Sequence, residues 1–244
     1  MTDTALYRDS GLKIYEKVHY SHGEQIYEVE AILSWYGRKV GRVLDIGCSG
    51  GLHALELAKR GYSVTGIDKE NSAIGVARKR FAESNLQADF FAADLEKDDL
   101  TWLGSFDLIY SLGNVISHIP KKSLPDVLRK IKACLKIDGI FFFDILAIGD
   151  TFPDEVHEKD LGIIWRRTLD RRTGEILLRA IFEKFDVIQD FRVWGYTREE
   201  MEGLLKEMGF TRIDISPSLD FSTSDTTAKN PVCLRYKARI KEGE

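Results

Sequence analysis

The sequence predicts an α/β fold, in which a mostly parallel sheet carries helices on both faces. Between residues 40 and 146, short runs of β-branched and aromatic residues alternate with segments whose apolar residues recur at helical spacing. The runs are almost continuously apolar, as in strands that are covered on both faces. Because strands and helices alternate along the chain, the strands are expected to lie parallel in one sheet.

The strands and helices of this region follow one another in order. The predicted strands are 42–46, 62–67, 88–92, 106–110 and 140–145. The intervening helices are indicated by apolar residues three or four positions apart. These residues are Leu52, Leu55 and Ala58, then Ile74, Ala77 and Phe81, and then Leu124, Val127, Leu128, Ile131 and Leu135.

The pattern changes after Asp150. Three strand-like segments, 162–169, 175–185 and 191–196, follow without a clear helix between them, and 170–174 has the composition of a hairpin turn. This pattern predicts a small antiparallel flap inserted at about 151–196.

The ends of the chain complete the predicted domain plan. Thr197 and Glu200 have the spacing of a capping box, which predicts a helix that ends at Gly209. Strands at 212–216 and 232–240 would close the sheet. Near the N-terminus a helix is predicted at about 25–36. The chain thus divides into an N-terminal helical segment, 1–39, and an α/β domain, 40–244.

Composition excludes some classes of protein. The 244 residues contain 35 lysines and arginines against 39 acidic residues, a net charge of −4, which argues against a general nucleic-acid binder. Three widely separated cysteines do not suggest a disulfide framework. The longest apolar stretch, 139–149, is too short to span a membrane, and the N-terminus lacks the pattern of a signal peptide. A cytoplasmic protein is therefore expected.

The most informative stretch is Val-Leu-Asp-Ile-Gly-Cys-Ser-Gly-Gly at 43–51, where the first strand turns into the first helix. Glycines there let a ligand approach the backbone. A dinucleotide fingerprint would need glycines where Ser49 and Leu52 stand, and the Gly-Lys-Ser/Thr of a P-loop is absent. A nicotinamide-dependent oxidoreductase is therefore disfavoured. Cys48 lies near a helix N-terminus, so it either has a lowered thiol pKa or is a small packing residue.

Acidic residues follow the next two strands. Asp68 ends the second strand, and an acid about 20 residues beyond a glycine turn can accept hydrogen bonds from ribose hydroxyls. It can also act as a helix N-cap. Asp94 follows the third strand, where a turn residue is the alternative interpretation. The fourth strand then opens into Leu-Gly-Asn-Val-Ile-Ser-His at 112–118.

These motifs resemble those of class I S-adenosylmethionine-dependent methyltransferases, and the 112–118 segment resembles that of glycine and sarcosine N-methyltransferases. Ser49 replaces the central glycine of the family's first motif. The resemblance implies a Rossmann-like class I methyltransferase fold with a seven-stranded sheet, an N-terminal lid and S-adenosylmethionine as cofactor. In this interpretation the N-terminal helical segment, 1–39, and the flap at about 151–196 together enclose the substrate. The cofactor-binding residues that it implies are Asp45, Gly47, Cys48, Ser49, Gly51, Asp68, Asp94, Leu95, Ser111 and Leu112.

The same resemblance suggests catalytic roles for His118, Asn114 and Tyr20. It places His118 in the substrate chamber, and an ordinary histidine pKa of ~6.5 suits proton transfer at neutral pH; a structural histidine is the alternative. Asn114 either binds substrate or closes a turn. Tyr20 either faces the sulfonium or packs within the lid. No metal is required, because methyl transfer is a direct displacement.

The expected methyl acceptor is a small molecule with an amine nitrogen. The fifth strand of the glycine-methylating enzymes ends in Asp-His-Arg-Asn, whereas here the segment 144–147 is Asp-Ile-Leu-Ala, without a cation for a carboxylate. Glycine itself is therefore a doubtful substrate. Two alternatives stay open: an RNA or protein methyltransferase, and a non-catalytic nucleoside-binding regulator.

Arginines concentrated on the predicted flap are the one feature that favours a nucleic-acid or other anionic partner. They are Arg166, Arg167, Arg171, Arg172 and Arg179. Such a cluster binds phosphates or carboxylates, or it forms cross-strand ion pairs on a solvated hairpin. The sequence does not determine the oligomeric state.

Overall fold

The computed structural model of the protein describes residue 6 and residues 9–37, 41–221 and 233–240. The α-helices in these ranges are α1 (Asp9–His19), α2 (Glu24–Tyr36), α3 (Leu52–Lys59), α4 (Asn71–Ser84), α5 (Leu124–Ala133) and α6 (Arg198–Glu207). None of the helices in the described ranges is long and apolar enough to cross a bilayer.

The strands form two sheets. The first five strands and the last two form one sheet, and the four strands between them in the chain form the other. The strands are β1 (Arg42–Ile46), β2 (Ser63–Asp68), β3 (Asp89–Ala92), β4 (Phe106–Ser111), β5 (Leu135–Leu146), β6 (Glu155–Glu158), β7 (Ile163–Asp170), β8 (Glu175–Phe182), β9 (Val187–Trp194), β10 (Thr211–Ser216) and β11 (Cys233–Arg239).

The main sheet has seven strands in the order β10-β11-β5-β4-β1-β2-β3. Strand β11 runs antiparallel to both of its neighbours, and the pairs among β5, β4, β1, β2 and β3 are parallel. The prediction of a mostly parallel seven-stranded sheet is therefore confirmed. The chain reverses its direction of travel across the sheet between β1 and β4, and α/β proteins bind ligands at the carboxyl ends of strands at such a point.

Helices cover both faces of this sheet, as the apolar runs predict. Side chains of α2, α3 and α4 pack on one face, and those of α5 and α6 pack on the other. Strand β5 supplies both cores, because Phe142 faces the first group of helices while Phe141 and Phe143 face the second. Alternation along a strand thus buries every side chain in this run.

The flap is a separate antiparallel sheet in the order β6-β7-β8-β9. Its edge strand β6 was not predicted, since Glu-Val-His-Glu carries only one apolar side chain and depends on backbone pairing with β7. The predicted strand 175–185 is shorter than expected, because a 3-10 turn at Glu183–Phe185 follows Phe182. Strand β5 begins at Leu135, earlier than predicted. The predicted start of the last strand, Val232, lies outside the described residues.

Arginines of the flap take part in contacts within the flap. Arg179 forms a bidentate pair with Asp190 at 2.6 and 2.8 Å, and the Nε of Arg166 lies 2.9 Å from Glu155. Arg167 is buried, and its Nε donates to the carbonyl of Pro153 at 2.9 Å. These contacts support the interpretation of a hairpin with cross-strand ion pairs.

Candidate cofactor and acceptor site

A deep cavity lies at the carboxyl ends of β1, β2 and β4, under the end of α1. The empty space inside it, including the open mouth, is about 1280 Å³. The predicted site residues that line it are Tyr20, Asp45, Gly47, Cys48, Ser49, Asp68, Asp94, Leu95, Leu112 and His118. Residues far apart in the sequence are thus brought together around one space.

The glycine turn forms the floor of the cavity. The amides of Gly47 and Cys48 both donate to the carbonyl of Ile67, at 2.8 and 3.0 Å, which fixes the turn against β2. Gly47 has a φ of +75°, and a Cβ at this position would lie 2.5 Å from a Val115 methyl group. Only glycine allows this backbone conformation and this close approach.

Asp68 connects the end of β2 to the glycine turn. Its Oδ2 accepts a hydrogen bond from the Ser49 amide, and its Oδ1 accepts one from the Glu70 amide, both at 2.9 Å. Burial raises the pKa of Asp68, although the two amides act in the opposite direction. The N-cap residue of α4 is Glu70, so Asp68 is not the helix cap. The carboxylate is instead held at the cavity wall with lone pairs that remain available to a ligand.

Asp94 and Leu95 form the wall beyond β3. Oδ1 of Asp94 accepts from the Glu96 amide at 3.0 Å, and Oδ2 lies 2.6 Å from the Nζ of Lys97. Burial acts to raise the pKa of Asp94, but these hydrogen bonds lower it overall. The turn role is therefore observed, and the residue also borders the cavity.

Buried polar groups line the cavity wall. The carboxylate of Asp45 and the hydroxyl of Tyr110 interact with each other, and Oγ of Ser49 has no hydrogen-bond partner within the described residues. Burial raises the pKa of Asp45 from its ordinary value near 3.8 to about 6. Because burying a carboxylate without a cation beside it is costly, this wall fits a ligand that donates hydrogen bonds and carries positive charge. S-adenosylmethionine has both properties.

The N-terminal segment provides an aromatic wall. The rings of Tyr15 and Tyr20 meet edge to face at 6.2 Å, and Tyr20 meets the His53 ring in the same way at 5.3 Å. Burial raises the pKa of Tyr15 to about 12 and that of Tyr20 well above its usual value. Both phenols are therefore neutral at physiological pH, and all three rings line the cavity.

An ion pair anchors this segment over the glycine turn. The carboxylate of Glu16 on α1 pairs with the guanidinium of Arg80 on α4, with contacts of 2.8 and 3.1 Å. Arg80 also donates to the carbonyl of Gly50 in the turn. One guanidinium therefore connects α1, α4 and the turn, and it couples the position of the aromatic wall to that of the cofactor site.

Glu16→Gln is expected to weaken S-adenosylhomocysteine binding about 3- to 10-fold, because a partly buried charge-assisted contact contributes about 1 kcal/mol. Calorimetric titration measures this loss. The matched control is Glu83→Gln, which removes an exposed α4 pair with Lys79 and should leave the affinity unchanged. Equal affinities in both variants would contradict the anchoring role.

His118 lies at the end of a 3-10 turn, Val115–His118, with its ring 5.9 Å from that of Phe191 on β9. Burial, together with the positive charge of Lys69, lowers the pKa of His118 to about 4. The expectation of an ordinary value is therefore wrong. At neutral pH this imidazole is uncharged and is a weak base, although it does line the cavity.

Three predicted residues do not line the cavity. Asn114 has a φ of 60°, and its side-chain oxygen faces the Cys233 thiol at 3.6 Å. The hydroxyl of Ser111 donates to the carbonyl of Ile46 at 3.2 Å. Gly51 is the N-cap residue of α3. Asn114 therefore closes a turn, whereas Ser111 and Gly51 support the cavity from behind.

Cys48 lines the cavity, but burial raises the pKa of its thiol well above the usual value. The prediction of a lowered thiol pKa is thus wrong, and its alternative, a small packing residue, fits the structure. In the described part of the chain, no three histidine, cysteine or acidic side chains are placed to hold a metal ion.

Sequence reasoning missed several wall residues. Tyr110 immediately precedes the predicted Ser111, and Lys69 and Glu70 directly follow Asp68, so the ends of the strands already indicated where they lie. His53 occupies the first turn of α3, just beyond the glycines. No linear spacing indicated its partner Glu28, because that residue lies on α2 and the two meet only through helix packing.

Comparison with known proteins agrees with this geometry. Residues 43–139 match a family described as a methyltransferase domain. The ubiquinone biosynthesis O-methyltransferase of Aromatoleum aromaticum is 33% identical over 134 residues, which cover 52% of this chain and 55% of that protein.

Solved structures share the fold over nearly the whole chain. An S-adenosylmethionine-dependent methyltransferase from Clostridium acetobutylicum superposes with a TM-score of 0.70 at 14% identity, covering 94% of this chain and 97% of its own. The sugar N-methyltransferase KedS8 from Streptoalloteichus has a TM-score of 0.67 at 15% identity, with coverages of 96% and 94%. The matched domain, the strand order and the glycine turn together identify residues 43–139 as a methyltransferase domain, within a chain that has the Rossmann-like methyltransferase fold.

Proposed function

We propose that this enzyme transfers the methyl group of S-adenosylmethionine to an amine nitrogen of a small molecule. The observation that carries the proposal is the cavity wall beside the glycine turn, where the rings of Tyr15, Tyr20 and Tyr110 line the same space as the carboxylate of Asp45. Aromatic faces and a carboxylate attract a protonated amine.

The cofactor is proposed to lie along the predicted strand ends. Asp68 would accept hydrogen bonds from the ribose hydroxyls, and Asp94 and Leu95 would border the adenine. The glycine turn and Asp45 would face the methionine portion. When bound, this cofactor supplies an electrophilic methyl group on a sulfonium, so the protein needs to position the acceptor and exclude water.

Enclosure by α1 supports a small acceptor. The Glu16–Arg80 pair holds α1 across the glycine turn, and Tyr15 and Tyr20 narrow the space beneath it. We propose that this N-terminal segment is the lid. None of the described residues between 151 and 196 lines the cavity. The flap instead packs behind the lid, since Val18 shares an apolar cluster with Phe182 and Phe191.

The contacts of the flap arginines are evidence on whether the substrate is an RNA chain. Arg166 and Arg179 are engaged by Glu155 and Asp190, and the flap arginines do not face the cavity. These observations favour the small molecule over an RNA chain. The sugar N-methyltransferase KedS8 shares the fold, which is consistent with a nitrogen acceptor.

The test is a panel of small amines, phenols and carboxylic acids incubated with the enzyme and cofactor labelled in the methyl group. Methylation of amines in preference to the other two classes is the expected result. Transfer to phenols or acids alone would contradict the nitrogen assignment. Tight S-adenosylhomocysteine binding without transfer to any class would indicate a nucleoside-binding regulator instead.

A further inference from the structure

We propose that His53, oriented by Glu28, is the catalytic base that receives the proton from the acceptor nitrogen. This inference rests on the proposed amine methylation. An amine is mostly protonated near neutral pH and must lose a proton before its lone pair can attack a methyl group. The cavity therefore needs a group that can accept that proton.

The geometry of the pair is that of an oriented base. Nε2 of His53 lies 2.5 Å from Oε2 of Glu28. The carboxylate can only accept a hydrogen bond, so the neutral imidazole carries its hydrogen on Nε2 and donates a hydrogen bond from this nitrogen. The lone pair is then on Nδ1, which has no hydrogen-bond partner among the described residues. His53 lines the cavity, and its side chain is 12% exposed.

The groups packed around His53 come from four different parts of the fold. Tyr20 follows α1, Glu28 lies on α2, Asp45 on β1 and Tyr110 on β4. Two of these four carry carboxylates and the other two present aromatic rings. An imidazolium formed in this position has the Glu28 carboxylate in direct contact, which offsets the cost of its partial burial.

His118 and the two tyrosines of the lid are poor bases. Burial keeps the pKa of His118 at about 4, so this imidazole cannot hold a proton taken from an ordinary amine. Tyr15 and Tyr20 have raised pKa values and remain protonated. His53 is thus the wall histidine whose orientation is set by a carboxylate.

The proton step balances as follows. The N–H bond of the bound ammonium breaks, its electron pair stays on the acceptor nitrogen, and a bond forms between the proton and Nδ1 of His53. The imidazolium is paired with Glu28 until the proton passes to solvent through the exposed edge of the ring. The neutral nitrogen then has the lone pair that forms the new N–CH₃ bond.

His53→Asn and Glu28→Gln test the proposal in the full-length enzyme. At pH 7, His53→Asn is expected to lower kcat/KM for an aliphatic amine about 100-fold or more, the usual contribution of a general base. Glu28→Gln, which alters a positioning residue, should cause about a 10-fold loss and move the acidic limb of the pH–rate profile. Affinity for S-adenosylhomocysteine, measured by calorimetry, should change less than about twofold.

The flap offers a matched control pair. His157 and Glu155 form the same contact, Nε2 to Oε1 at 2.6 Å, on the exposed strand β6. His157→Asn and Glu155→Gln remove the same atoms away from the cavity, and neither should change the rate or its pH dependence.

A second acceptor separates a base from a merely structural histidine. A weakly basic aromatic amine is neutral at pH 7, so its methylation should be nearly unaffected in His53→Asn, and raising the pH should restore the rate with the aliphatic amine. Equal losses for both amines, or no loss, would overturn the proposal. If the wild-type enzyme methylates only phenols, the proposed nitrogen acceptor is wrong. In that case the role of His53 is tested with the phenol, and an unchanged rate of phenol methylation in His53→Asn would overturn its role as a base.

Discussion

Asp68→Ala is expected to reduce affinity for S-adenosylmethionine and S-adenosylhomocysteine about 10- to 100-fold. The carboxylate accepts from the Ser49 and Glu70 amides, and we propose that its remaining lone pairs accept from the ribose. Hydrogen bonds to a charged group contribute about 1.5–3 kcal/mol. Alanine removes the proposed contacts to the ribose. It also removes the acceptor of the Ser49 amide, so the glycine turn is held less firmly.

Two measurements separate these effects. Calorimetry with S-adenosylhomocysteine gives the total loss, and an analogue without the ribose hydroxyls gives the part that comes from release of the glycine turn, which should be the smaller part. Asp170→Ala is the matched control, because Asp170 accepts from the Arg172 amide at 2.9 Å in the flap hairpin, away from the cavity. An affinity in Asp68→Ala within about threefold of wild type would leave Asp68 a role in ordering the turn only.

The sequence predicted the parallel sheet well, because the burial of a strand on both faces is encoded locally. The continuous apolar run that contains Phe141, Phe142 and Phe143 is an example, since each residue has a core to enter. Strand β6 lacked such a signal. Its polar side chains are compatible with an exposed edge position in the flap. The strand is held to β7 by backbone hydrogen bonds, which do not depend on the identity of the side chains.

The sequence correctly indicated those cavity residues whose position follows from lying at the end of a predicted strand. Asp45, Asp68 and Asp94 follow that rule, because parallel strands bring their carboxyl ends to one edge. Asn114 did not, since its left-handed backbone conformation turns its side chain toward Cys233. The pKa of His118 was also beyond sequence reasoning, because it depends on burial produced by the folded chain.

Asp45 is expected to show opposite effects on stability and binding. Its pKa in the folded protein is raised by burial from near 3.8 to about 6, so the folded chain holds the proton more tightly than the unfolded chain. Stability is therefore lost as the pH rises from about 4 to about 6, and the loss is complete above that range. A shift of about 2 pKa units corresponds to about 3 kcal/mol.

Asp45→Asn should consequently raise the free energy of unfolding by about 1–3 kcal/mol at pH 7.5 and leave it nearly unchanged at pH 4. Denaturant unfolding at both pH values measures this difference. Asp144→Asn is the informative control, because burial also raises the pKa of Asp144 to about 6. Both oxygens of Asp144 accept amide hydrogen bonds, from Gly113 and Asn114 at 3.2 and 2.7 Å. An amide NH₂ there would face a donor, so we expect no gain in stability.

Binding should move in the opposite direction, because the ionised Asp45 attracts the positive charge of the cofactor. In wild type, affinity for S-adenosylmethionine should rise about tenfold between pH 5 and pH 7, as Asp45 loses its proton around pH 6. In Asp45→Asn the affinity should be weaker and nearly independent of pH over this range, since the amide does not ionise. A pH dependence that persists in the variant would assign it to another group, and Asp45 would then be a buried charge without a role in holding the cofactor.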